Sequence, residues 1–97
     1  MADFFFLMHD DAIAEDASAW GAYLATLESA GALRAGSAIG DGLCVCKAGP
    51  APAITTHLTG FLRIEARDLD HAKTMLTGNP VYEAGGTVEI RELPRTD

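Results

Sequence analysis

A histidine and two aspartates stand together at His9-Asp10-Asp11, directly after an apolar run, and a second histidine, His57, directly precedes a later strand-like segment. Polar groups at the end of a buried strand are held by a rigid element where it meets solvent, a natural place for chemistry. A buried carboxylate has its pKa raised towards neutrality, where proton abstraction is most useful. Asp10 would then act as general base, with His9 or His57 as acid or orienting group. Arg63 and Arg91 present guanidinium forks that match an organic acid, and Tyr23 offers a hydroxyl to a pocket edge. Each has a plainer reading. The polar triplet begins a loop and caps the next helix, and His57 bonds to backbone. Trp20 and Tyr23, at helical spacing, pack in the core. For Arg63, Glu65, Glu89 and Arg91 the plainer reading is favoured, because opposite charges on facing strands need no ligand.

The elements that must position these residues follow from periodicity. Phe4 to Met8 is apolar on both faces and reads as a central strand covered on both sides. Ala14 to Ala30 is a helix with Ala17, Trp20, Leu24 and Leu27 on one stripe, Glu15 and Asp16 in its first turn, and Gly31 closing it. Leu33 to Ile39 is a second strand. Gly40-Asp41-Gly42 turns into a short strand over Leu43 to Lys47, and the two read as a hairpin. Ala48 to Thr56, with Gly49, Pro50 and Pro52, is a loop. In Phe61 to Ala66, the apolar Leu62, Ile64 and Ala66 alternate with Arg63 and Glu65. Asp68 caps a helix with Leu69, Ala72, Met75 and Leu76 on one stripe, ended by Gly78 and Pro80. After Gly85-Gly86 alternation returns, with Val88 and Ile90 opposed to Thr87, Glu89 and Arg91. Pro94 to Asp97 is a polar tail.

This order is the split βαβ, or ferredoxin-like, arrangement, an α+β fold of βαββαβ order with one extra short hairpin strand. Two helices cover the sheet face that holds Leu62, Ile64, Val88 and Ile90. The other face carries Phe61, Arg63, Glu65, Thr87, Glu89 and Arg91, and Phe4, Phe6 and Met8 lie partly on it. Such a face is too apolar for a monomer, and a second subunit, sheet against sheet, is its simplest cover.

At 97 residues, 48% apolar and 22% charged, the chain reads as one soluble domain with a modest core. A net charge of −7 and thinly spread Lys and Arg argue against nucleic-acid binding through phosphate neutralisation. The apolar run at the N-terminus has no basic flank and is too short for a signal peptide or a membrane span, so the cytoplasm is expected. Cys44 and Cys46 are too close for a mutual disulfide and lack the further ligands a zinc site requires; they read as reduced packing residues. No glycine-rich phosphate loop precedes a helix. No cofactor and no metal are therefore expected.

Several segments together resemble the YCII-related family, small ferredoxin-like proteins that dimerise into an α/β barrel. They are Phe4 to Asp10, the Trp-x-x-Tyr-Leu helix from Trp20 to Leu24, and residues 30–37, Ala-Gly-Ala-Leu-Arg-Ala-Gly-Ser. Gly60-Phe61, residues 68–72 (Asp-Leu-Asp-His-Ala), Asn79-Pro80 and residues 85–91 (Gly-Gly-Thr-Val-Glu-Ile-Arg) complete the set. The resemblance covers nearly the whole length and implies one YCII-like domain over 1–97. The family is similar to the muconolactone-isomerase type of barrel, and some members carry a His–Asp pair proposed as catalytic. Asp10 matches the aspartate of that pair. The histidine belongs on the first helix, where this chain has Trp20, and the Asp-Gly-Pro-Phe segment of many relatives is replaced by residues 53–58. The pair is not intact, and His9 or His57 is left as the substitute.

Two readings of function remain. One is a small enzyme of isomerase or hydrolase type acting on a carbonyl or carboxylic compound, such as a lactone or organic acid. Its residues are Asp10, His9 and His57 for catalysis and Arg63, Arg91 and Tyr23 for substrate binding. The other is a non-catalytic homodimeric module that holds a small ligand or serves as an accessory. Neither reading calls for a nucleic acid or a membrane.

Overall fold

Strand β1 (Ala2–His9) is the spine of the molecule. The computed structural model describes residues 1–95 and pairs β1 antiparallel with β3 (Leu58–Ala66) on one side and β4 (Val88–Leu93) on the other. Strand β2 (Leu33–Ala38) pairs with the far side of β3, which gives the order β2-β3-β1-β4. The helices are α1 (Trp20–Ser29), α2 (Leu69–Thr74) and α3 (Pro80–Glu83). The fold is α+β with the ferredoxin-like strand order. The last two residues of the polar tail lie outside the described residues.

Register decides the faces. Phe4 stands opposite Ile64 and Phe6 opposite Leu62, so these side chains share one face with Met8. Tyr23 and Leu27 of α1, Ala72 and Leu76 around α2, and Val81 of α3 close over that face. Phe6 and Ile64 are wholly buried, each contributing about 1.5–3 kcal/mol. The expected placement of Phe4, Phe6 and Met8 on the open face is therefore corrected. An all-apolar run has no alternation from which to read its phase, and only pairing with the patterned β3 sets it. The open face receives Asp3, Phe5, Leu7 and His9 from β1, beside Phe61, Arg63 and Glu65 of β3 and Glu89 and Arg91 of β4.

Local hydrogen bonding trims the first helix. The Asp16 side chain accepts from Ser18 N at 3.1 Å and from Ser18 Oγ at 2.6 Å. Asp16 is thus the cap of a 3-10 turn at Ala17–Ala19 that leads into α1, and Ala14 lies before it at φ 55°. The buried stripe is Tyr23 and Leu27, with Trp20 and Leu24 half-buried. At Gly31, φ is 70°, the left-handed conformation that ends a helix at little cost without a Cβ.

The extra hairpin strand expected at Leu43–Lys47 does not form. Residues 39–57 contain no strand, and Leu43 and Val45 are 75% and 81% exposed. A two-stranded excursion buries too little to hold itself together, and the Gly-Pro-Ala-Pro return has few amides to pair. Asn79-Pro80, expected only to end α2, also begins α3. The Asn79 Oδ1 accepts from the amides of Val81 and Tyr82 at 3.0 and 3.1 Å.

Candidate functional site

His9 is the last residue of β1 and projects on the open face. A register irregularity between Met8 and His9 ends the regular ladder there. The His9 amide donates to Thr87 O at 3.0 Å, and the Asp10 amide donates to His57 O at 2.9 Å. These two bonds join the end of β1 to the segments that enter β4 and β3. They also bring the two imidazoles edge to face, with centroids 4.7 Å apart at 67°.

Glu89 completes the cluster. Its Oε1 lies 3.1 Å from His9 Nε2, and its Oε2 accepts from Arg91 Nη1 at 3.2 Å. The His9 and Arg91 hydrogen bonds hold the Glu89 carboxyl below the usual carboxylate range. With Nε2–H donating to Glu89, the His9 Nδ1 carries the free lone pair. The side chain of His9 is 20% exposed and that of Glu89 36%, so the pair is reachable from solvent.

Farther along the open face, Arg63 donates to Asp3 Oδ2 at 2.6 Å, and this bond lowers the Asp3 pKa. Arg34 pairs with Glu65 at 3.1 Å. Cross-strand ion pairs do form on this face, but none joins two of the four residues expected to pair across strands: Arg63 meets Asp3, Glu65 meets Arg34, and Arg91 meets Glu89 along one strand.

The structure thus brings His9, His57 and the backbone of Asp10 together and links Arg91 to them through Glu89. The Asp10 carboxyl is exposed, so one chain alone does not provide the burial on which a general base at Asp10 depends. Arg63 sits apart with Asp3. Tyr23 lies on the opposite, helix-covered side, where its hydroxyl donates to Met75 O at 2.8 Å and burial raises its pKa. That hydroxyl ties α1 to the end of α2 and is turned away from the His9 cluster.

Two residues escaped sequence reasoning in these roles. Glu89 appears there only as an ion-pair partner, since its reach to His9 depends on the β1–β4 register that sets Leu7 opposite Glu89. Asp11, noted only with its triplet, grips Thr87: its Oδ1 accepts from the Thr87 amide at 2.8 Å and its Oδ2 from the Thr87 hydroxyl at 2.7 Å. The hydroxyl bond is the main reason its carboxyl is held below the usual range. The clamp fixes the loop after β1 against the entry to β4. Gly86 is required beside it, because a Cβ there would meet Val81 Cγ1 at 2.7 Å and Ala12 Cβ at 2.9 Å.

On the helix side, a separate cleft of about 660 Å³ runs between α1 and β2, lined by Trp20, Leu24, Leu33, Gly36 and Leu62 among others. None of the residues expected in the site lines it. Among the described residues no three His, Cys, Asp or Glu side chains converge as a metal ion would require. Among the described residues no helix is long and apolar enough to cross a membrane.

No curated protein and no solved structure matches the chain. The family model of the YCII-related domain matches residues 6–96, from the middle of β1 through β4 and the segment after it. With the strand order, the helix-covered face and nearly the full length in agreement, this chain belongs to the YCII-related domain family.

Proposed function

We propose that this YCII-related protein carries out acid/base chemistry on a small carbonyl or carboxylic compound at the sheet end marked by His9, Glu89 and His57. It works as a homodimer closed over the open sheet face. The observation that carries the reading is the 3.1 Å contact between His9 Nε2 and Glu89 Oε1. A carboxylate on one ring nitrogen fixes the tautomer and steadies the imidazolium that forms when the other nitrogen takes a proton. This pair stands in for the His–Asp pair of relatives, whose helix histidine is replaced here by Trp20. Arg91, already hydrogen-bonded to Glu89, and Arg63 supply guanidinium groups for an organic acid on the same face. A second subunit over Phe5, Leu7 and Phe61 removes water from that face and gives Asp10 the burial it lacks in one chain. Two free thiols, Cys44 and Cys46, suit a reducing, cytoplasmic setting.

The alternative, a dimeric binding or accessory module, draws on the exposure of Asp10 and on the Trp20 replacement. One experiment separates the two. Wild type and His9→Gln are screened by thermal unfolding against lactones, hydroxy acids and keto acids, and each hit is followed for solvent-deuterium exchange and turnover. A compound at about 100 times its dissociation constant adds roughly 2.7 kcal/mol. For a domain this size that is on the order of 10 °C in Tm. The enzyme reading expects turnover that His9→Gln lowers by about 10²–10⁴-fold. A shift with no exchange and no turnover selects the binding module. No shift with any compound sinks the site at this end of the sheet.

A further inference from the structure

Strand β2 is an edge strand, so one row of its backbone amides and carbonyls lacks a neighbouring strand. Helix α1 stands off from that edge and leaves the cleft of about 660 Å³, with Trp20 and Leu24 on the helix side and the whole of β2 along the other. A free strand edge beside an apolar, helix-walled cleft is the geometry in which an extended segment adds as one more strand. The same chain carries such a segment. Leu43 to Lys47 is a short apolar run of strand-forming type, yet Leu43 and Val45 are 75% and 81% exposed and the segment joins no strand among the described residues. The connection that holds it, residues 39–57, is exposed throughout except at half-buried Cys44. The radius of gyration is 14.9 Å, against about 13 Å for a compact domain of roughly 100 residues.

We propose that Leu43–Lys47 of one chain adds as a strand to the free β2 edge of a second copy, placing Leu43 and Val45 in the cleft beneath Trp20 and Leu24.

Face and charge set an antiparallel register. Gly36 stands opposite Leu62 and Ala38 opposite Gly60, so both lie on the helix-covered face. Leu43 facing Ala38 and Val45 facing Gly36 match two large side chains to two small ones. Cys44 then faces Ser37 and Cys46 faces Ala35, on the open face. Lys47, the only Lys or Arg of residues 39–57, comes to the start of β2 opposite Arg34, whose charge is already paired with Glu65. There it lies beside Glu28, a cleft residue whose carboxylate has no partner among the described residues. Exchange between two identical chains closes symmetrically, one arm to each cleft. The inference rests on neither the His9–Glu89 pair nor the closure of the open sheet face. Failure of the test below leaves both standing.

The test uses Ser37→Cys under mild oxidation, with wild type treated in parallel as background, non-reducing electrophoresis and peptide mapping. Directly opposed residues bring Cβ atoms to about 4.5–5.5 Å, close enough for a disulfide after slight adjustment. The expected product is a covalent dimer in which the thiol introduced at position 37 of one chain is joined to Cys44 of the other. It is lost in Ser37→Cys with Cys44→Ala and retained with Cys46→Ala. Ala35→Cys gives the reverse dependence, needing Cys46 and not Cys44, and keeps the test available if the first variant does not fold. A cross-link within one chain overturns the exchange in favour of a hairpin on the protein's own β2. A dimer that forms equally through either cysteine, or no dimer above background, overturns the register and the pairing.

Discussion

Three carboxylates are held below their ordinary range chiefly by one neighbour each: Asp3 by Arg63, Asp11 by Thr87, and Glu89 by His9, with Arg91 adding to it. In the unfolded chain these groups titrate near 3.9 for Asp and 4.3 for Glu. A carboxyl whose folded pKa is depressed binds its proton first in the unfolded chain, so its contribution to stability is present above the unfolded value. That contribution is lost as pH falls through the folded pKa. Urea unfolding at pH 6, 4 and 3 is expected to show the wild-type midpoint falling steeply at the acid end. Asp11→Asn should be less stable at pH 6 and should fall less between pH 6 and 3. A variant that keeps the wild-type slope would show that the Thr87 clamp contributes nothing to acid sensitivity. Asp11 holds the loop that begins at His9 and Asp10, so this titration also reports on how firmly the site is positioned.

Among the elements, α3 depends most on one residue. Its amides at Val81 and Tyr82 are both bonded to Asn79 Oδ1, and Asn79 itself is fully buried. The Asn79 Oδ1 is the atom that caps α3, while its amide nitrogen faces the buried Tyr23 hydroxyl. Asn79→Ala is expected to cost about 1–2 kcal/mol, the usual loss for an N-cap, and Asn79→Ser, which keeps an acceptor, distinctly less. Equal losses for the two in urea unfolding would assign the effect to lost volume and not to capping. Because α3 presents Val81 to the core and to Gly86, its loosening reaches the start of β4 and with it Thr87.

For the whole molecule, the open sheet face is the surface on which the proposed homodimer rests. Phe5 and Phe61 meet edge to face with centroids 5.4 Å apart, Leu7 stands directly opposite Phe61, and all three are half-buried in one chain. Around them lie the ion pairs of Asp3, Arg63, Glu65 and Arg34. An apolar centre with a charged rim is the composition of a protein–protein interface. In light scattering on a Val45→Asp background, which removes the strand exchange proposed above, Phe5→Glu is expected to convert a dimer to a monomer with unchanged far-UV circular dichroism. A dimer that survives this substitution would place the interface elsewhere. The β2–β3 connection belongs to the same scale, since segments of that length without structure of their own are uncommon in small domains and serve either function or linkage.

Local patterning was enough to specify much of this protein. The alternation of Leu62, Ile64 and Ala66 with Arg63 and Glu65, the Asp68 cap, and the glycines after each helix are short-range instructions. They yield β3, α2 and the ferredoxin-like order from residues a few positions apart. The face of β1 was not legible, because five successive apolar residues look the same in either phase and the choice is made by β3 across the ladder. The failed strand at Leu43–Lys47 has the same origin: its residue types suit a strand, but a strand exists only where a neighbour supplies its hydrogen bonds. The site follows this rule too. His9 and His57 were visible as residues, and the extended backbone of β1 and β3 suggested where they stand. That Glu89 and Arg91 join them and Tyr23 does not was settled by register and packing, which arise only when the sheet closes.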